Sequence, residues 1–210
     1  MRKIKQSNEN EMVYEFLKSE MDSSRHKERI ESILNDMQIS NEVINNGDIS
    51  SEQENVLRAE ILGKFRGYKK HNEDMFGNFP SNINWFWVEL DRADILKVIY
   101  TEYSYWNELS NYTGSPLEAA KFILTGKCVF GTMPTNHYID IAQKLIEGHN
   151  FPPLILLTDK SEKQYFLLEG HVRMTAYSLV PVLFQKVSVL LGYCNSDELD
   201  KWYGEMPERT

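Results

Sequence analysis

The stretch from Gln164 to Tyr177 constrains this chain more than any other. Four apolar residues, Tyr165, Phe166, Leu167 and Leu168, run into Glu169-Gly170-His171-Val172-Arg173 and then into Met174-Thr175-Ala176-Tyr177. It reads as a buried strand that turns sharply at a glycine into a helix. The first backbone N–H groups of a helix have no intrahelical partners, and the helix dipole adds partial positive charge there. That end of a helix suits an anion, above all a phosphate.

The residues at the turn carry matching chemistry. Gly170 lets the backbone bend and approach a ligand closely. Arg173 offers a planar fork for a phosphate. His171 can donate to a phosphate oxygen or move a proton. Thr175, in the first turn, can donate its hydroxyl. Glu169 can act as a base or hold a water-coordinated Mg²⁺. A plainer reading stands beside these roles. Glu169 and Arg173 are at i and i+4, so they can simply pair as a surface salt bridge worth about 0–1 kcal/mol.

The flanking sequence is mixed. Val13, Phe16, Leu17 and Met21 form one helical stripe, and Ile30, Ile33, Leu34 and Met37 form a second. Ser51 and Glu54 fit a capping box for a helix through Phe65, ending near Gly67. A polar loop is expected over 69–84. Trp85 to Leu90 is strand-like, and a short helix follows over Ala93 to Val98. Ser115-Pro116-Leu117-Glu118 starts a helix that stops at Gly126, and Tyr138 to Glu147 forms another, stopped by Gly148. Leu154 to Leu157 and Tyr165 to Leu168 form a hairpin. Val172 to Val180 is a helix, Lys186 to Leu191 a strand and Asn195 to Tyr203 a closing helix. The expected fold class is α+β, a small mixed sheet with packed helices. Residues 1–80 are expected as a helical N-terminal extension, and 81–210 as the α+β domain.

The order helix, glycine, Pro152-Pro153, strand, turn, strand, Glu169-Gly170-His171-Val172-Arg173, helix resembles the ParB/sulfiredoxin-like superfamily over residues 130–192. The resemblance implies a compact α+β fold whose strand-to-helix turn binds phosphate. Sulfiredoxins carry a catalytic cysteine just before the His-Arg pair, where this chain has Gly170. Chromosome-partitioning ParB proteins carry adjacent arginines, where this chain has only Arg173. The pattern is most similar to the Asp-Gly-His-Xaa-Arg of ParB-like free serine kinases. Glu169 replaces that aspartate, which moves the carboxylate by about 1.5 Å.

Other residues are weaker candidates. Thr135 and Asn136, in a polar loop before a helix, can bond a phosphate or ribose, or can be an ordinary helix cap. Arg66-Gly67-Tyr68 is a ligand contact or a helix end packed on the core. Trp85, Trp87, Tyr100, Tyr103, Tyr105 and Trp106 can stack on a base or pack the core. His137, His149 and His171 lack metal-ligand spacing, and the two cysteines, Cys128 and Cys194, form no disulfide framework.

The net charge of −8 opposes non-specific nucleic-acid binding. Residues 120–190 hold seven basic and five acidic residues, so the acidic excess lies elsewhere. A small anion fits this distribution better than a nucleic acid, and with no dense carboxylate cluster the charge also weighs against a nuclease. No apolar run is long enough to span a bilayer. The expected location is the cytoplasm, because Met1 to Glu9 lacks the apolar segment of a signal peptide. The functional expectation is a protein that binds ATP or another nucleotide, or a smaller phosphate, with Mg²⁺. It acts as a phosphotransferase or nucleotide hydrolase, or as a non-catalytic, nucleotide-responsive regulatory or DNA-associated module. The N-terminal helices are candidates for a protein partner or homodimer contact.

Overall fold

The structure, a computed structural model, describes residues 1–69, 75–180 and 186–204. Part of the expected 69–84 loop, residues 70–74, lies outside the described residues. Among those described, ten helices surround one mixed six-stranded sheet.

The chain opens with strand β1 (Arg2–Gln6) and the helices α1 (Glu9–Met21), α2 (Lys27–Asp36), α3 (Glu42–Asn45) and α4 (Glu52–Arg66). Strand β2 (Asn84–Leu90), α5 (Arg92–Ile95) and β3 (Val98–Tyr100) follow. Three further helices are α6 (Ser104–Leu109), α7 (Pro116–Leu124) and α8 (Asn136–Ile146). The last third runs β4 (Leu154–Thr158), β5 (Tyr165–Glu169), α9 (His171–Leu179), β6 (Val187–Tyr193) and α10 (Ser196–Gly204).

The sheet order is β1-β2-β6-β4-β5-β3. β4 and β5 form the expected antiparallel hairpin, while β4 runs parallel to β6 and β3 parallel to β5. The central strands are buried on both faces, which is why they read as unbroken apolar runs. Alternation sends Ile155, Leu157, Phe166, Leu168 and Leu190 into one core with α1, α2, α4 and α10. Leu154, Leu156, Tyr165, Leu167, Val189 and Leu191 enter a second core with α6, α7 and α9. Each fully buried leucine or isoleucine contributes about 1.5–3 kcal/mol. The helices before residue 80 therefore share a core with strands from the far end of the chain.

Local signals explain most helix boundaries. Asn8 Oδ1 accepts from Glu11 N at 3.0 Å, Ser51 Oγ from Glu54 N at 3.3 Å, and Asn195 Oδ1 from Asp197 N at 2.9 Å. Ser51 forms only half of the expected box, because the Glu54 carboxylate accepts from Asp48 N and Arg58 instead. Ser115 makes no side-chain cap, and Pro116 opens α7 without it.

Two strands depart from expectation. The first part of the chain was expected to be helical, yet β1 pairs with β2 at the sheet edge. All its side chains are exposed, so no burial alternation marks it. Lys3 lies over the rings of Phe86 and Tyr193 instead, at 4.2 and 4.5 Å. The helix expected through Val98 stops at Ile95. Val98, Ile99 and Tyr100 become β3, because they pair with Tyr165, Phe166 and Leu167.

Candidate functional site

β5 ends at Glu169, and α9 begins at His171, two residues later. Gly170 between them has φ 103°, in the left-handed region. A Cβ there would lie 2.5 Å from Leu154 Cδ2 and 3.1 Å from Arg173 Nη2. The glycine is therefore required by conformation and by space.

Arg173 turns back over this glycine. Its Nη1 donates to the Pro152 carbonyl at 2.5 Å, and its Nη2 donates to Ser19 Oγ at 2.8 Å and Glu169 Oε1 at 2.9 Å. Ser19 Oγ in turn donates to Glu169 Oε1 at 2.7 Å. The Glu169–Arg173 pair thus exists, but it is not the surface bridge of the plain reading. The two side chains are only 15% and 8% exposed. The expected open fork is altered too, because both terminal nitrogens of Arg173 are engaged by protein.

His171 faces the other way. Its Nε2 lies 2.8 Å from Thr101 Oγ1, and its ring packs against Tyr100 and Trp106, at 5.7 and 5.0 Å, which also touch each other. Burial, then the charges of Arg66, Arg173 and Arg25, hold its pKa down at about 3. The imidazole is therefore neutral near pH 7, and its Nδ1 has no hydrogen-bond partner among the described residues. Thr175 is fully buried, donates to the His171 carbonyl at 2.7 Å and bonds the Tyr100 hydroxyl at 2.6 Å. Its hydroxyl is not placed to meet a ligand, contrary to expectation.

The surroundings add groups that the motif alone does not announce. Arg66, at the end of α4, donates through Nη2 to Glu20 Oε1 at 3.2 Å and lies 3.1 Å from His26 Nε2. Arg66 Nε is buried without a hydrogen-bond partner among the described residues. Burial, then the Glu169 charge, raise the Glu20 carboxyl well above the usual carboxylate range. His26 is held down at about 4, by burial and then by Arg66. Arg25, in the α1–α2 turn, is exposed and makes no ion pair among the described residues, yet its charge reaches His171, Tyr105 and Tyr138. Three guanidiniums and three carboxyl groups, Glu15, Glu20 and Glu169, thus gather around the start of α9, and burial raises both Glu15 and Glu20.

The remaining candidates lie elsewhere. Thr135 is buried and donates to the Lys127 carbonyl at 3.3 Å, and Asn136 is exposed at the start of α8. No hydrogen bond joins either to Glu169–Thr175 among the described residues. Trp85, Tyr100 and Trp106 are buried in the cores. Cys194 Sγ bonds the Thr158 carbonyl, and burial pushes its thiol up to about 12. Among the described residues, no three His, Cys, Asp or Glu side chains gather to hold a metal ion, and no helix is long and apolar enough to cross a membrane. Glu20 and Glu169 are paired with Arg66 and Arg173.

Comparison with known proteins finds no matching family model, no similar curated protein and no similar solved structure.

Proposed function

We propose that this protein binds a small phosphate-bearing ligand at the start of α9, between Arg25, Arg66 and His171. One observation carries the reading: positive charge exceeds negative charge around a helix N-terminus. Arg25, Arg66 and Arg173 face the carboxyl groups of Glu15, Glu20 and Glu169, and burial biases Glu15 and Glu20 towards their neutral forms. A chain with a net charge of −8 concentrates cations here. An anion would satisfy the bare Arg66 Nε and meet the helix dipole. His171 would donate to it as a neutral imidazole, without adding charge.

Within that reading, the activity is phosphoryl transfer or nucleotide hydrolysis, with Glu20 as the acid–base group. A carboxyl group that holds its proton near neutrality can give it to a leaving oxygen. Glu169, the base expected from sequence, is pinned by Ser19 and Arg173. That pinning favours a second reading, in which ligand binding at the turn changes a partner contact without turnover.

A thermal-shift screen with phosphate, pyrophosphate, ATP, ADP, CTP and GTP, with and without Mg²⁺, tests the proposal. A ligand at 100 times its Kd adds about 2.7 kcal/mol. No shift with any of them at millimolar concentration and low salt removes the proposal. Turnover of a bound nucleotide that Glu20→Gln abolishes separates the enzyme from the switch.

A further inference from the structure

A cleft of about 330 Å³ opens where the sheet stops short. β4 pairs with β6 only from Leu154 and Val189 onward. Pro152 and Pro153, just before, have no N–H with which to extend that ladder. Ser188 of β6, Trp87 of β2, Tyr177 of α9 and Phe151 line the gap with the two prolines. The buried Glu169–Arg173–Ser19 clamp separates it from Arg25, Arg66 and His171. It is therefore a second place on the molecule, independent of the phosphate reading.

The lining accepts more readily than it donates. Pro152 and Pro153 contribute carbonyls without N–H groups. His149 Nδ1 lies 3.1 Å from the Lys144 carbonyl and donates to it, which leaves Nε2 as an acceptor in the neutral ring. Such a wall suits a ligand rich in N–H donors and opposes an anion. Phe151 and Tyr177 are half-buried, and neither ring carries a cation among the described residues. An aromatic face attracts an ammonium group through its quadrupole. Trp87 already shows this, since Lys5 Nζ lies 5.5 Å from its ring centroid.

A carboxyl group stands beside this wall without a partner. Glu11, Glu15 and Ser19 form one row of α1, each four residues from the next. Glu11 Oε1 accepts from Trp87 Nε1 at 2.9 Å, and Ser19 accepts from Arg173, which itself donates to Pro152. Glu15 therefore lies between the Trp87 and Pro152 ends of the cleft. No hydrogen bond or ion pair joins it to another described residue. Burial raises its pKa, Lys18 opposes this, Glu11 adds to it, and Lys5 and Arg173 oppose it. Lys5 and Arg173 are already paired with Glu11 and Glu169. A bound cation would give the Glu15 charge the partner it lacks.

We infer that the cleft binds a small organic cation, a primary alkylammonium, held between the Glu15 carboxylate and the faces of Phe151 and Tyr177. Its N–H groups meet the acceptors of the wall, and its methylenes lie against the aromatic rings.

Calorimetry tests this by comparing butylamine and diaminopentane with n-butanol and butyrate, which have similar chains without the positive charge. At least one of the two amines should bind, about ten times more tightly than either control or better. Glu15→Gln keeps the shape and removes the charge, and should weaken that amine by about tenfold or more. Ser188→Trp fills the cleft and should abolish its binding. Melting curves show which variants fold, and either one alone decides the question if the other does not. The inference is overturned if neither amine binds, or if n-butanol or butyrate binds as well as the amines. It is equally overturned if amine binding is unchanged in a folded Glu15→Gln or Ser188→Trp protein. Pyrophosphate binding reads the phosphate site separately, so the two readings stand or fall apart.

Discussion

Replacing Arg173 with alanine removes three hydrogen bonds at once. Glu169 loses its cation, Ser19 loses a donor, and the Pro152 carbonyl loses a side-chain donor. Breaking a buried ion pair by deleting one member costs about 3–5 kcal/mol, because the other charge stays buried. Glu169 keeps 15% exposure, so water replaces part of the lost interaction. The expected loss is therefore near the lower bound, about 3 kcal/mol. For a chain of this size, each kcal/mol moves the melting temperature by about 2–4 °C, so the fall should be about 6–12 °C. Urea denaturation and calorimetry both read it. Ser19 belongs to the same network, so Ser19→Ala and Arg173→Ala should be non-additive by about 1 kcal/mol. A loss under about 1 kcal/mol, as exposed pairs give, would refute the buried-clamp argument, as would strict additivity with Ser19→Ala.

Gly170→Ala forces a side chain into positive φ and against Leu154. It should destabilise by about 3 kcal/mol in denaturant unfolding, and a neutral effect would contradict the turn geometry. His171 has a lowered folded pKa, so its contribution is complete above about pH 6.5 and is lost as pH falls towards about 3. His171→Gln should flatten the acid limb of the stability curve by up to ~1.4 kcal/mol per pH unit, and an unchanged slope counts against a buried neutral imidazole. Glu20 has the opposite sign. Its raised pKa stabilises below the ordinary carboxylate value, and that support is lost as pH rises. Glu20→Gln should therefore gain stability relative to the parent between pH 5 and pH 8, whereas a pH-independent difference would mean Glu20 is already ionised.

Local pattern made much of the fold legible. β4 and β5 read as strands because both faces of each are buried, and α9 reads as a helix because a glycine and a periodic apolar face frame it. β1 escaped because Lys3 and Lys5 set their ammonium groups over aromatic rings while staying exposed. β3 escaped because three residues take their conformation from β5, more than sixty positions away. The site divides in the same way. The spacing of Glu169 and Arg173 announced their pairing, whereas Ser19, 150 residues from Glu169, could not be paired from sequence. A signal for Glu20 was present: it lies one turn after Phe16, so a carboxyl falls on the apolar face of α1. Arg66, at the end of α4, was a candidate contact, and it is paired with Glu20 and lies against His26.

Arg25 offers the most direct test of the proposed phosphate site, because it is exposed and lies outside the cores. Pyrophosphate should be titrated calorimetrically into the parent and into Arg25→Gln, at low and at high salt. A hydrogen bond to a charged group contributes about 1.5–3 kcal/mol, so the variant should bind about tenfold more weakly or worse. The parent should also weaken as salt rises. Equal affinity in the two proteins, or no binding by the parent, would contradict a phosphate site at the start of α9.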